Sequence, residues 1–109
     1  MAALIDREVL ELLVSTGAIL DGHFLLSSGK HAARYIQCAR LLQHPELAHR
    51  VCVALAERAR NLGKIDAVIG PALGGIILAY ELARVLGVRG MFTEREVGKM
   101  SLPRQFWKQ

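Results

Sequence analysis

The chain has 109 residues, of which 52% are hydrophobic and 22% charged, and its formal net charge is +4. This composition excludes a disordered chain and indicates a single globular domain. The basic residues are scattered and aromatic residues make up only 6%, so the sequence does not predict a nucleic-acid-binding surface, and it fits small phosphate-bearing ligands instead. Without a signal-peptide pattern or an apolar run of membrane-spanning length, the sequence predicts a cytoplasmic protein with no membrane partner.

The first 43 residues predict a helix followed by a small β region. Apolar residues at helical spacing follow Asp6, a candidate helix cap, and Gly17 is the predicted helix end. Asp21-Gly22 is a turn dipeptide. Extended segments at 24–26 and 35–38 flank the polar connection Ser-Ser-Gly-Lys-His at 27–31.

Residues 44–109 predict the beginning of an α/β core. A helix begins at Pro45, carries Leu47, Val51, Leu55 and Leu62 on one face, and ends before Gly63. A strand at 65–69, an almost wholly apolar helix at 76–86 and a strand at 88–93 then form a βαβ unit, whose two strands must be parallel. We therefore predict an α/β fold that starts a doubly wound, mainly parallel sheet. The apolar helix is predicted to be buried on most sides.

The turn between this strand and helix, Gly-Pro-Ala-Leu-Gly-Gly at 70–75, is the strongest functional candidate. It lies at the carboxyl end of a strand and at a helix N-terminus, where unpaired N–H groups attract anions. It matches neither the P-loop motif nor the dinucleotide fingerprint GxGxxG. Taken alone, the glycines fit tight packing and anion binding equally well.

Two further segments carry charge. Residues 93–100 place Arg95 and Lys99 around Gly98, which predicts either an exposed loop or cations that close over a phosphate group. Lys30 and His31 form a basic pair in a polar turn, and the other histidines receive no role. Cys38 and Cys52 lack metal-site spacing, so no metal-ligating side chains are predicted.

The three segments occur together in one order, with the run Gly-Ala-Ile-Leu-x-Gly-His-Phe-x-Leu-x-Ser-Gly at 17–29 and Arg-Tyr-Ile-Gln-Cys-Ala at 34–39. From about residue 4 to 102 the chain resembles the N-terminal half of an orotate phosphoribosyltransferase. The resemblance implies a type I phosphoribosyltransferase fold with a small N-terminal hood, in one domain over 1–109 divided at about residue 43. It also implies a Mg²⁺-dependent reaction of orotate with 5-phosphoribosyl 1-diphosphate, giving orotidine 5′-phosphate and diphosphate for UMP synthesis, in a homodimer.

The resemblance also implies roles for individual residues. Lys99, in the flexible loop, is the predicted catalytic residue and acts as an electrostatic stabiliser. Mg²⁺ is expected to bind mainly through the diphosphate of the donor. The residues implied to contact substrates are Lys30 or His31, Tyr35, Ile36, Gly74, Gly75 and Arg95.

Two departures from the family pattern bear on activity. Ala32 and Ala33 replace the usual Ser-Pro, and residues 103–109 stand where an acidic strand and a Thr-Thr-Gly-type loop usually follow. That motif binds the ribose hydroxyls and the 5′-phosphate. We therefore expect a C-terminally incomplete chain, from truncation, a frameshift or a genuine short form, that is inactive alone and exposes an apolar sheet edge and helix face.

Two alternatives remain at this stage. One is part of a purine-type phosphoribosyltransferase, because the same two loops can serve another base. The other is a non-catalytic module that pairs with full-length subunits.

Overall fold

The computed structural model describes residues 4–107. The elements of this part of the chain are α1 (Asp6–Ser15), β1 (Ile19–Leu25), β2 (His31–Ile36), α2 (Ala39–Leu42), α3 (Pro45–Arg60), β3 (Ala67–Pro71), α4 (Ile76–Leu86), β4 (Arg89–Glu96), β5 (Lys99–Ser101) and a 3₁₀ turn (Arg104–Phe106). None of these helices has the length and apolar character that crossing a bilayer requires.

The strands form two separate sheets. β1 and β2 make an antiparallel hairpin, and the second sheet has the order β3-β4-β5. β3 and β4 are parallel and joined through α4, while β5 folds back antiparallel on the end of β4. The βαβ unit predicted from the sequence is therefore present.

The start of α1 differs from the prediction. Ile5 is the N-cap residue, and Asp6 is already helical. The carboxylate of Glu8 accepts a hydrogen bond from the Ile5 N–H at 3.1 Å, which satisfies one free donor of the helix start. Asp6 instead forms an ion pair with Arg58 of α3, so its side chain bridges two helices. Gly17 follows the C-cap with φ 75°, as predicted for a residue that ends a helix.

The hairpin is longer than predicted. Asp21-Gly22 does not form a turn, because β1 continues through it with a bulge between Asp21 and Phe24. Across the hairpin, Arg34 Nε donates to Asp21 Oδ1 at 2.9 Å. The actual turn lies at 26–30, where the Leu26 N–H donates to the Lys30 carbonyl at 2.8 Å. After the hairpin, residues 39–42 form the short helix α2.

Helix α3 packs on α4 through small side chains. Ala48, Cys52 and Ala56 are the buried residues of α3, and they recur every fourth position along one stripe. The predicted apolar face is correct in part, because Leu47 and Val51 pack on the neighbouring core cluster. Leu62 is the exception and is 85% exposed, since the helix ends at Arg60 and Leu62 lies beyond it.

The outer side of α4 is open, contrary to the prediction that this helix is buried on most sides. Ala79 and Ala83 are buried, and a Cβ on Gly90 of β4 would lie 3.1 Å from Ala83 Cβ. Ile77 and Tyr80 are 52% and 70% exposed. The helix touches the sheet on one side and α3 on another, and no described residue covers its third side.

One face of the second sheet also remains uncovered. Successive side chains of a strand point to opposite faces. Gly70 faces α4, since a Cβ there would lie 2.8 Å from Ala79 Cβ, and Ile69 therefore points away from the helix. Ile69 is 53% exposed. A doubly wound sheet carries helices on both faces, and the described residues provide one of these two layers.

Candidate functional site

The glycine loop, residues 70–75, connects β3 to α4 and is anchored at both ends. The Ala72 N–H donates to the Thr93 carbonyl of β4 at 2.8 Å, and the Gly75 N–H donates to the Pro71 carbonyl at 2.8 Å. The peptide between Ala72 and Leu73 is cis. The loop therefore lies at the carboxyl ends of β3 and β4, the edge where open α/β sheets bind ligands.

Four N–H groups in and after this loop have no acceptor in the described part of the chain. Among the described residues, the N–H groups of Leu73, Gly74, Ile77 and Leu78 have no hydrogen-bond acceptor. Leu73 is 84% exposed, so solvent and ligands reach this side of the loop. Unpaired donors at the N-terminus of an 11-residue helix make a favourable position for an anion.

The glycines of the loop have different reasons to be glycine. A Cβ on Gly70 would collide with the Gly75 carbonyl oxygen, and one on Gly75 would lie 2.8 Å from the Pro71 carbonyl oxygen. A Cβ on Gly74 would meet nothing within 4 Å. Tight packing therefore explains Gly70 and Gly75. Packing leaves Gly74 unexplained, and a residue without a Cβ at this position leaves room for a ligand to approach the backbone.

The segment 93–100, expected to be irregular, is a β hairpin. Glu96 pairs with Lys99 and Arg95 pairs with Met100, around a two-residue turn at Val97-Gly98. Directly opposed residues of an antiparallel pair share a face, and neighbours along a strand do not. Arg95 and Lys99 therefore lie on opposite faces of the hairpin.

The two cations of this hairpin are available to a ligand. Arg95 and Lys99 are exposed, and neither forms an ion pair with a described residue. The hairpin begins beside the start of the glycine loop, because Pro71 pairs with Thr93. The structure thus brings the glycine loop and the base of this hairpin together.

The β1–β2 hairpin holds the remaining predicted site residues. Lys30 is exposed in its turn, and His31 opens β2. Tyr35 and Ile36 are opposite Leu20 and Ile19, so they point to opposite faces and do not line one surface together. No hydrogen bond or ion pair among the described residues joins this hairpin to the glycine loop.

Sequence reasoning assigned no role to His23, whose ring contacts His31. His23 Nε2 and His31 Nδ1 are 2.7 Å apart. His23 also lines a groove of about 580 Å³ with Phe24, Ser27 and Tyr35. The sequence did offer one signal: His23 lies shortly before the predicted connection at 27–31 and His31 ends it, and a hairpin brings two such residues together.

The shifted pKa values lie outside this site. Burial raises the pKa of the Cys52 thiol to about 11, and the carboxylate of Glu81 adds to this effect. Cys52 is therefore a protonated thiol at neutral pH and unsuited to nucleophilic catalysis. The hydrogen bond and ion pair with Glu81 raise the pKa of the Arg84 guanidinium, which also lies within 3.0 Å of His49 Nδ1.

Comparison with known proteins identifies relatives of this arrangement. No family model matches the chain. The orotate phosphoribosyltransferase of Desulforamulus reducens is 57% identical over 100 residues, which are 92% of this chain and 52% of that protein. Nearly the whole chain is homologous to orotate phosphoribosyltransferases. The Pelotomaculum thermopropionicum protein of the same name is 54% identical over 91% of the chain.

Solved structures of orotate phosphoribosyltransferases share the fold. The crystal structure of the Aeropyrum pernix orotate phosphoribosyltransferase matches with a TM-score of 0.68 and 30% identity, over 86% of this chain and 56% of that one. The predicted resemblance and the α/β fold class are confirmed. The chain spans about half the length of the curated orotate phosphoribosyltransferases that it matches.

Proposed function

We propose that this chain forms the diphosphate-binding and base-binding part of an orotate phosphoribosyltransferase. In the complete reaction, the C1–oxygen bond of 5-phosphoribosyl 1-diphosphate breaks as a bond from C1 to a ring nitrogen of orotate forms. The products are orotidine 5′-phosphate, for pyrimidine synthesis, and diphosphate. The observation that carries the proposal is the glycine loop, whose free N–H groups lie at the carboxyl ends of two parallel strands in a chain with relatives of this name.

The glycine loop acts on the leaving group. Negative charge develops on the diphosphate as its bond to C1 breaks, and fixed N–H donors stabilise this charge without having to reorient. The N–H groups of Leu73, Gly74 and Ile77 are the donors that we assign to this role. Because Gly74 has no Cβ, an oxygen atom of the diphosphate can approach the backbone closely.

The β4–β5 hairpin supplies cations that stabilise the same negative charge on the diphosphate. We assign Lys99 to electrostatic stabilisation of the transition state and Arg95 to phosphate contact. Because these side chains lie on opposite faces of the hairpin, it presents one cation to each side. This arrangement suits a homodimer in which the hairpin lies between two sites, with one cation facing each.

The β1–β2 hairpin is the proposed base-binding hood. Orotate is an anion with a carboxylate, and Lys30 and His31 are the basic residues closest to the tip of this hairpin. Tyr35 offers an aromatic surface beside Phe24, at a ring-centroid distance of 5.7 Å. Ile36 lies on the other face and supports the hood from there. We also propose a cytoplasmic location, because the substrates of pyrimidine synthesis are soluble.

Mg²⁺ is the cofactor that this family implies. The described residues hold no group of three or more His, Cys, Asp or Glu side chains placed to bind a metal ion. These residues do not fit a protein-held metal site. We propose that Mg²⁺ arrives bound to the diphosphate oxygens of the donor, and we derive no catalytic step from it.

Diphosphate binding tests the proposal on the chain itself. Titration of the ¹⁵N-labelled protein with Mg²⁺-diphosphate should shift the amide signals of Leu73, Gly74 and Ile77, while Gly87, at the other end of α4, serves as the reference. Shifts confined to other residues, or no saturable binding, would contradict the assignment of the loop.

Base selectivity distinguishes the proposed function from the purine-type alternative. Orotate should shift the hairpin signals of Lys30 and His31, and adenine at the same concentration should not. The opposite preference would make this chain part of a purine enzyme.

Mixing with the remaining half of the Desulforamulus reducens relative should restore consumption of orotate, followed by its ultraviolet absorbance.

The module alternative rests on the open apolar side chains of Ile69, Ile77 and Tyr80. A module of this kind would bind an intact orotate phosphoribosyltransferase and lower its activity. Co-purification with an intact relative, without diphosphate binding by the chain alone, would favour this alternative over the proposed function.

A further inference from the structure

Two histidines of the β1–β2 hairpin share a hydrogen bond. His23 Nε2 and His31 Nδ1 are 2.7 Å apart, and the ring centroids are 4.7 Å apart with the planes inclined by 45°. One of these two nitrogens must carry a hydrogen and the other must accept it. The direction of the bond therefore decides the tautomer of both rings.

The chemistry of imidazole favours one direction. A free neutral histidine prefers the tautomer with hydrogen on Nε2. If His23 donates, both rings keep this tautomer, because His23 uses its Nε2–H and His31 accepts at Nδ1. If His31 donates, both rings must take the less favoured Nδ1–H form. The hydrogen bond of one ring nitrogen thus fixes the state of the other, as it does in catalytic and metal-binding histidines.

We propose that His23 is a positioning residue that holds His31 in its Nε2–H tautomer, so that His31 presents a fixed N–H donor to an anionic group of the substrate. His31 Nε2 has no hydrogen-bond partner among the described residues. That this group is the carboxylate of the base follows from the proposed function; the tautomer itself follows from the pair of rings alone.

The surroundings of the pair suit an anionic group. Lys30 precedes His31, is exposed, and forms no ion pair with a described residue. The nearby carboxylate of Asp21 is already paired with Arg34 at 2.9 Å. The groove beside His23 has a volume of about 580 Å³, and Ser27 and Ser28 add hydroxyl groups to its wall. The hairpin tip therefore offers donors and a free positive charge.

Imidazole nitrogen NMR of the full chain at neutral pH measures the tautomer directly. In the unmodified protein the two ring nitrogens of His31 should give widely separated ¹⁵N signals, with hydrogen on Nε2. His44 has no side-chain partner in the described part of the chain and serves as the internal reference for averaged tautomers. Averaged His31 signals like those of His44, or hydrogen on Nδ1, would overturn the inference.

Two substitutions of His23 separate positioning from bulk structure. His23→Phe keeps a flat ring without a donor and should release His31 to averaged signals. His23→Gln retains an N–H donor in a similar position and should keep His31 in the Nε2–H form. Equal His31 signals in both variants would contradict a positioning role, whatever their stability. The tautomer of His31 itself is decided by the NMR spectrum of the unmodified protein, without any variant.

An orotate titration keeps this inference distinct from the proposed function. Orotate should shift the His31 Nε2–H signal, and His23→Phe should bind it about fivefold more weakly, as expected for one ordinary hydrogen bond. A locked tautomer without any response to orotate would refute the assignment of His31 to the base while upholding the role of His23. A response to orotate with an averaged tautomer would uphold the assignment of His31 to the base and refute the role of His23.

Discussion

Gly74 differs from its neighbours in the glycine loop because nothing in the fold requires it to be glycine. We expect Gly74→Ala to leave the free energy of unfolding within about 0.5 kcal/mol of its original value, since the added methyl group meets open space. Binding of Mg²⁺-diphosphate should weaken roughly tenfold, the cost of about one hydrogen bond to a charged group. Chemical denaturation and calorimetric titration measure the two quantities.

Gly75→Ala is the matched control. Its methyl group would press on the Pro71 carbonyl, so this variant should lose roughly 1–3 kcal/mol of stability by overpacking. If Gly74→Ala destabilises the protein as much as Gly75→Ala does, the loop is a packing device and its assignment to diphosphate is wrong.

Cys52 predicts a pH dependence of stability. Its folded-state pKa is raised to about 11 from an ordinary value of 9.0, so the folded chain keeps the thiol protonated while the unfolded chain ionises. Stability from this group is therefore complete below about pH 9 and is lost as the pH rises towards 11. Unfolding curves between pH 8 and 11 should show a decrease of up to roughly 2 kcal/mol that Cys52→Ala lacks.

The exposed Cys38 provides the control for Cys52. At neutral pH a thiol reagent should modify Cys38 rapidly and Cys52 only after denaturation, because Cys52 is fully buried. Rapid modification of both thiols in the folded protein would be inconsistent with this burial.

At the scale of single elements, the turn of the β4–β5 hairpin is strained. Val97 has φ 38° and is followed by Gly98 at φ 81°, a turn in which both residues are left-handed. A β-branched residue is unfavourable in this conformation, and asparagine before glycine is the preferred pair. Val97→Asn should therefore raise the free energy of unfolding by about 1 kcal/mol, as measured by urea denaturation.

A neighbouring substitution makes this test specific. Val88→Asn, just before β4, tests a valine outside the turn and should not stabilise the protein. A loss of stability in Val97→Asn would show that the turn does not take the left-handed conformation in solution.

The sequence predicted most elements but not their exact pairing. Periodicity and end signals identified α3, α4 and the parallel pair β3–β4, because an apolar pattern, Pro45 and Gly87 act locally. The β1 bulge and the β4–β5 turn were missed, since Asp-Gly reads as a turn and Val-Gly does not. Tertiary pairing decided both cases against local preference.

The same limit applies to the candidate site. The sequence identified the three segments that carry it and grouped Arg95 with Lys99 and Tyr35 with Ile36 by expected role, but it did not show that the members of each pair lie on opposite faces. The side of a strand on which a residue lies follows from register, and a shift of one residue reverses it. The pair of His23 with His31 depends on register in the same way, so it became visible only with the fold.

At the scale of the whole molecule, two apolar surfaces are left open, one on the sheet and one on α4. Ile69 on the sheet face and Ile77 on α4 are each more than half exposed. Such patches promote association between proteins. We expect the purified chain to self-associate as its concentration rises, and the double substitution of Ile69 and Ile77 by Lys to reduce this, as followed by sedimentation velocity.

Leu62 offers the control for this experiment. It is also an exposed aliphatic residue, at 85%, but it lies past the end of α3 and away from both surfaces. Leu62→Lys should leave self-association unchanged. An equal effect of both changes would mean that added charge, and not the loss of these two surfaces, keeps the chains apart.

The short pairing of β5 has a consequence for timing. Only three residue pairs hold β5 to β4, from Glu94–Ser101 to Glu96–Lys99. Hairpins of this kind form in about 1–10 μs, whereas typical enzymes turn over about 1 to 1,000 times per second. Under the proposed function, the tip that carries Lys99 therefore closes in far less time than one catalytic cycle takes. Closure of this hairpin would then not limit the rate of the proposed reaction.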